Sequence, residues 1–431
     1  FDLIVVGGGI AGICTALAAV RCGVNTCLIN DRGVLGGCNS SEIRVCMGGM
    51  INLPPYENIG NIVREIGPIM GDPAIFKEEY FEDNRKLLSF ENRRNCHGKY
   101  KILLNECVTE IVKENDRITA VVCTNTLSGK KSIHRAQLFS DCSGDAVLAR
   151  LGGAEVMYGR EAKSEFGESL AAESYEKLVM GHSIRWCTKG EENYVDFPDI
   201  DWGLKLDEQC VQVVRRGQWY WEVGMMDDQV ADAEKIRDYG MYVAYSTFSY
   251  CKNRYSKKED WQCTHLTWVS HVSGKRESRR LMGDIILSEQ DLLESRPYDD
   301  ASFTTTWGID LHYPKKIEGL DEEPFLSYCE SDEIKPYAVP YRCLYSRNIE
   351  NLFMAGRNIS VTHVALGSIR VMRTGGMMGE VVGMAAIFTY GFPIAIEKFK
   401  EAGVTLITLS NYNSMLEAAL ETNYIKEEDI E

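Results

Sequence analysis

The distribution of apolar and polar positions changes texture several times along this chain. Residues 3–6 form a short apolar run with no polar alternation, as expected of a strand buried on both faces. A helical pattern follows from Ile10 to Arg21, where Gly23 can end it, and Thr26 to Ile29 is a second apolar run. Strand, turn, helix and strand in this order predict a βαβ unit of a parallel sheet. Residues 56–94 are polar and helix-prone, with Ile62, Ile66 and Ile69 near helical spacing. Between 100 and 139, the stretches 101–104, 107–112, 118–123 and 131–139 read as short strands of a small antiparallel meander, broken by turn residues at 114–116 and 128–130.

From 158 to about 328 strand-like pieces (218–223, 265–271) mix with helices such as 230–249. All seven tryptophans lie in this region: Trp186, Trp202, Trp219, Trp221, Trp261, Trp268 and Trp307. This texture predicts a separate domain inserted into the first, its tryptophans serving either as sheet packing or as stacking platforms. Residues 352–355 return to a short buried strand. A loop with His363 follows, then Gly375-Gly376 opening a helix over 377–389, and 394–420 reads as an amphipathic helical pair. The expected fold class is α/β. A Rossmann-like domain, with a parallel sheet and a small antiparallel meander, carries an inserted α+β substrate domain. The expected boundaries are 1–157, 158–335, 336–393 and a helical tail at 394–431.

The first turn carries chemistry. Gly7, Gly9 and Gly12 fit G-x-G-x-x-G between strand and helix. Gly7 permits the tight turn, Gly9 lets backbone approach a pyrophosphate, and Gly12 lets helix and strand pack closely. The helix opens with its free N–H groups toward the phosphates. Asn30 stands where a ribose-binding acid is usual, with Asp31 beside it. Asn30 can offer its amide to a ribose, and Asp31 can substitute. The second glycine pair, Gly36-Gly37, follows the second strand, a placement usual in FAD proteins.

Composition narrows the class. The 431 residues suggest two to three domains. The formal net charge of −16 argues against nucleic acid or an acidic membrane face as a partner. No run of about 20 apolar residues predicts a membrane span, so the expectation is a cytoplasmic protein. The fifteen cysteines are scattered, without metal-type spacing, and read as reduced thiols. Cys38 and Cys46 flank the second glycine loop and are the pair to watch. His265 and His271 are too isolated to argue a metal site, and none is expected.

Taken together, the segments resemble the two-domain FAD oxidoreductases of the glutathione-reductase-like fold, on the branch that includes fumarate-reductase-type flavoproteins. The runs 31–37, 40–44, 165–168, 274–280, 339–342, 353–358 and 362–367 are similar to those of a bacterial FAD-dependent oxidoreductase family. The resemblance implies that Gly7, Gly9 and Gly12 hold the pyrophosphate. Asn30, Asp31 and Arg32 would lie at the adenosine ribose, and Val108 would offer backbone bonds to adenine. Gly144 and Asp145 would form a second contact loop. Gly356 and Arg357 would approach the pyrophosphate and ribityl chain, and Gly375 and Gly376 would point N–H groups at the flavin pyrimidine. Glu42 and Arg44 would flank the ring. Among candidate catalytic residues, His363 is an acid or base. Arg370 would stabilise reduced flavin or an anionic substrate, and Arg276 and Glu277, in the charge cluster at 275–280, would bind substrate and move protons.

The activity expected is hydride transfer between flavin N5 and a polar small molecule, with a sugar or glycoside as leading substrate. The alternatives are a reductase of activated C=C bonds and a flavoprotein that only carries electrons. The electron partner stays open, as does a homo-oligomer.

Overall fold

The computed structural model of the chain describes residues 1–67, 83–91, 97–208 and 221–388. Its first strand, β1 (Leu3–Val6), is followed by helix α1 (Ile10–Arg21) and strand β2 (Thr26–Ile29), at the bounds the pattern predicts. Then come β3 (Tyr100–Leu103), β4 (Glu106–Glu114), β5 (Arg117–Asn125), β6 (Lys131–Arg135) and β7 (Leu138–Asp141). A five-stranded sheet has the order Leu352–Met354, β7, β1, β2, β3, every pair parallel. The α/β, Rossmann-like expectation is therefore met.

The meander is smaller than expected. Only β4, β5 and β6 form it, because β3 pairs in parallel with β2. The run at 131–139 breaks into β6 and β7, which belong to different sheets.

β1 is buried along its whole length, which explains its unbroken apolar character. One face of the sheet carries α1 and the helix Met372–Phe388 against each other. Glycines let their backbones touch. A Cβ on Gly379 would lie 2.3 Å from the Ala11 carbonyl oxygen, and one on Gly383 would lie 2.3 Å from that of Thr15.

The region expected as an insertion has its own apolar cluster, in which Trp186, Trp221 and Trp261 are buried. Trp186 and Trp221 stack at 5.3 Å, so these tryptophans pack a core. Helix Ala233–Asn253, strands Trp186–Gly190 and Thr264–Val269, and the antiparallel pair Ile309–Lys315 and Leu326–Asp332 frame it.

Other expectations are corrected. His363 is not in a loop: it opens the helix His363–Ile369. The charge cluster at 275–280 runs into a strand, Arg280–Leu281, which pairs with Val156–Met157. The helix expected over 377–389 starts at Met372, so Gly375 and Gly376 lie inside it. Trp219 and the tail at 394–431 lie outside the described residues. Among the described residues no helix is long and apolar enough to cross a membrane.

Candidate functional site

The carboxyl ends of the parallel strands open into a cavity of about 670 Å³, the usual place for a ligand in a doubly wound sheet. Its floor is the glycine turn. Gly7 has φ +106°, and a Cβ there would strike the Cys142 carbonyl oxygen at 2.3 Å. A Cβ on Gly12 would lie 1.8 Å from the Gly7 oxygen, so Gly12 sets the close approach of α1 to the turn. Gly9 is different: a Cβ there would meet nothing within 4 Å. It faces the cavity, and keeping it bare leaves room for a ligand against the backbone. No acidic residue occupies the first turn of α1, so that turn does not neutralise its own positive end. An open glycine at such a helix N-terminus fits a diphosphate.

Asn30 explains the missing acid. Its Oδ1 accepts the Gly8 N–H at 2.9 Å, and its Nδ2 donates to the carbonyls of Val34 at 2.8 Å and Arg32 at 3.1 Å. Both amide hydrogens are engaged within the protein. Asn30 therefore ties the glycine turn to the loop after β2, and the Gly36 N–H adds a bond to the Gly8 carbonyl at 2.7 Å. Arg32 and Glu42, expected on different parts of the cofactor, instead pair with each other at 2.6 and 3.0 Å.

The second loop is organised by Asp141, fully buried at the end of β7. Its carboxylate accepts from Ser143 Oγ at 2.6 Å, from Ser143 N–H at 3.1 Å, and from the N–H groups of Leu148 and Ala149. Asn358 Nδ2 donates to its backbone carbonyl at 3.1 Å, joining this loop to the one after Leu352–Met354. Beyond it Asp145 receives Lys275 Nζ at 2.7 Å and Arg357 Nη2 at 3.3 Å. Burial pushes the Asp145 pKa up, but the two cations outweigh it and hold the carboxyl below its usual range. Gly144, at φ +73°, makes room for the Arg357 guanidinium, whose Cζ would lie 2.6 Å from a Cβ.

A charged patch lines another part of the same wall. Arg276 donates to Ser183 Oγ at 2.9 Å and pairs with Glu222 at 3.0 Å. His312 lies between two carboxylates, bonded through Nδ1 to Glu222 and through Nε2 to Asp310 at 2.9 Å. Arg370 donates to Asp310 Oδ2 at 3.1 Å. Burial disfavours the charged His312 ring, but the bonds to Asp310 and Glu222 prevail and lift its pKa to about 10. It is an imidazolium at neutral pH, donating from both nitrogens. Asp310 is held below the usual carboxylate range, because His312 and Arg370 outweigh its burial. Asp310, His312 and Cys329 also bring their polar atoms within 4.8 Å of one another. With both ring nitrogens held and an arginine on Asp310, this is an ion-pair network rather than a cation cage.

The cavity wall brings together Gly7, Gly9, Asn30, Asp31, Arg32, Gly36, Gly37, Glu42, Val108, Gly144, Asp145, Arg276, Gly356, Arg357, Arg370 and Gly375. Trp307, Cys38 and Cys46 are also in it. Five expected residues lie elsewhere. Gly12 packs beneath the turn. Arg44 stacks on Trp268 at 4.4 Å. A Cβ on Gly376 would strike Val63 at 1.9 Å, so this glycine serves helix packing. The Gly375 N–H already bonds the Val371 carbonyl at 3.0 Å. It cannot be the free donor expected of a helix start.

His363 and Glu277 are fully buried outside the cavity wall and bond each other at 3.0 Å. Arg280, bonded to Glu161 at 2.8 Å, lies beside them, 3.6 Å from Glu277. Burial raises the Glu277 pKa, but His363 and Arg280 prevail and lower it. Asp310 and His312 were not anticipated. Asp310 and His312, at i and i+2, alternate with buried Ile309, Leu311 and Tyr313 and so share one face of a strand, and that spacing is the signal that could have found them.

A family model described as FAD dependent oxidoreductase matches residues 2–392. An orotate phosphoribosyltransferase of Phocaeicola vulgatus is 53% identical over 72 residues, which are 17% of this chain and 33% of that enzyme. The chain thus spans about a third of the length of the curated relatives it matches. Among solved structures, p-nitrophenol 4-monooxygenase PnpA from Pseudomonas putida aligns over 95% of this chain and 82% of its own, at 12% identity and TM-score 0.36. The glycerol-3-phosphate dehydrogenase from Bacillus halodurans, complexed with FAD, aligns over 44% of this chain and 43% of its own, at 15% identity and TM-score 0.26. The family match covers nearly the whole chain, and the glycine cradle fits the diphosphate of its cofactor: the chain belongs to the FAD dependent oxidoreductase family.

Proposed function

We propose that this protein transfers a hydride between N5 of bound FAD and a small polar molecule. A single observation carries the reading. One cavity wall holds both the diphosphate cradle and the charged patch of Arg276, Asp310, His312 and Arg370. Bound FAD supplies the two-electron chemistry. The chain's own residues bind and orient. Gly7 and Gly9 would hold the diphosphate. Asp31 takes over the ribose contact that the engaged Asn30 amide cannot make, and Val108 lies toward the adenine. Gly356 and Arg357 flank the ribityl side. Arg276 and Arg370 orient the polar partner, and Asp310 is the wall carboxylate placed to hold a proton. In this reading residues 1–157 and 336–393 serve the cofactor, with Arg370 also reaching the substrate, and 158–335 supply the rest of the substrate patch.

A sugar or glycoside alcohol is the first substrate class to test, since the patch offers both hydrogen-bond donors and a carboxylate acceptor. A second reading, reduction of an activated C=C bond, is favoured by the two arginines in the wall, which suit a substrate carboxylate. A carrier of electrons alone would need no such patch beside its flavin. The match to a third of a phosphoribosyltransferase brings no phosphoribosyl transfer to this proposal. The test is anaerobic absorbance of the FAD-loaded protein. Bleaching by sugars supports the first reading, and reoxidation of reduced flavin by enoates supports the second. A purified protein that takes up no FAD sinks both.

A further inference from the structure

The charged patch sets Arg276, Arg370 and His312 against the carboxylates Glu222 and Asp310. The cations are largely buried, with 9–13% of their side chains exposed. Buried guanidinium donors favour a ligand that brings a carboxylate over a neutral sugar. A donor is also waiting: Arg370 Nε is buried with no hydrogen-bond partner.

The two carboxylates are not equivalent. Glu222 is closed off, while a third of the Asp310 side chain is exposed and lines the cavity. Asp310 is the acceptor a ligand hydroxyl can reach. Its orientation is fixed from two sides, by His312 Nε2 and Arg370 Nη2.

We propose that this patch recognises a small 2-hydroxy carboxylate, with Arg276 and Arg370 taking the carboxylate and Asp310 taking the hydroxyl proton. The inference rests on the hydride-transfer reading above and names its substrate class. In the step it implies, the carbinol C–H bond breaks and its electron pair leaves as hydride to the flavin. The O–H proton passes to Asp310, and the C–O bond becomes a carbonyl. The 2-hydroxy acid is oxidised to a 2-oxo acid, and the flavin gains two electrons. His312 is a positioning residue, keeping Asp310 aimed and ionised.

The experiment uses the FAD-loaded protein and two kinds of probe. Oxalate, a dianion without a hydroxyl, is titrated while the flavin spectrum is followed. Glycolate, lactate and malate are then added without oxygen. The expected result is a saturable oxalate perturbation, weakened at least tenfold in Arg370→Gln and partly restored in Arg370→Lys, with FAD still bound. At least one 2-hydroxy acid bleaches the flavin. Asp310→Asn keeps oxalate binding, having lost a negative charge, but slows bleaching at least a hundredfold. FAD-loaded protein that ignores oxalate overturns the proposal, as does oxalate binding without bleaching by any of the three acids. Protein that takes up no FAD instead overturns the underlying reading together with this one.

Discussion

Asn30 offers the sharpest test of how the cofactor cradle is held. Its amide makes three hydrogen bonds, to Gly8 N–H and to the carbonyls of Arg32 and Val34. Asn30→Ala removes all three. Each is worth about 1 kcal/mol, and the buried Gly8 N–H left without an acceptor adds a desolvation penalty of about 1–3 kcal/mol. The carbonyls can turn toward cavity water, so the expected loss is about 2–4 kcal/mol. Because Gly8 belongs to the turn that faces the ligand, FAD affinity should fall about tenfold, or about 1.4 kcal/mol.

Asn30→Asp is the discriminating partner, since it installs the acid usual at this position. One aspartate oxygen can still accept from Gly8, but the other meets two carbonyl oxygens. Burial and those carbonyls raise the pKa of the new group in the folded state above its unfolded value. The variant is then most stable at low pH, where the carboxyl is protonated, and loses stability as pH rises through the unfolded carboxylate range. Urea unfolding of both variants at pH 5 and pH 8, with FAD fluorescence titration, measures all of this. An Asn30→Asp protein as stable as the parent at pH 8 and binding FAD more tightly would refute the assignment of Asn30 as a structural tie.

Three further outcomes are expected. Glu168 accepts from Thr362 Oγ1 at 2.6 Å and from Glu289 N–H at 2.8 Å, and burial lifts its pKa to about 7. The folded state therefore holds a proton that the unfolded state releases. The parent's stability relative to Glu168→Gln should fall as pH climbs from about 4.5 to about 7, by on the order of 3 kcal/mol, and level off above; a flat difference across that window counts against it. Arg280→Met leaves Glu161 and Glu277 without their buried cation and should cost about 3–5 kcal/mol in urea unfolding; a loss under about 1 kcal/mol would mean the network reorganises freely. Gly379→Ala drives a methyl into the Ala11 carbonyl and should cost about 2–3 kcal/mol, seen as a lower melting temperature, whereas an unchanged value would show that the two helices can part.

The sequence made the first βαβ unit legible because its signals are local: an apolar run, glycines at fixed offsets and a helix of small residues. The strand-like runs at 107–112, 118–123 and 131–139, with turn residues between them, marked the meander for the same reason. Local signals failed where partners are distant. The short run at 101–104 says strand, but only β2 beside it decides that it runs parallel. Gly375 and Gly376 looked like a helix start because glycine is rare inside helices; their neighbours Gly356, Cys14 and Val63 come from elsewhere in the chain. At the site, the cradle residues fell where the glycine spacing put them. His363 and Glu277 did not reach the cavity, since sequence position near a ligand loop does not fix the direction of a side chain. Asp310 and His312 did reach it, from a strand whose chemistry shows only when Glu222, Arg276 and Arg370 are placed around it.

The wall of the cavity also dictates when it can exist. Gly9 and Asn30 are made before Asp145 and Arg276, and these before Gly356, Arg370 and Gly375. Among the described elements helix α1 packs most extensively on Met372–Phe388, far along the chain. A nascent chain therefore holds an apolar, glycine-bearing helix without its main partner until residues 372–388 are made, and must close long loops before the site forms. Cofactor capture is in this sense a late folding event, and a shortage of FAD would be felt first as misfolded, aggregation-prone chain rather than as idle enzyme.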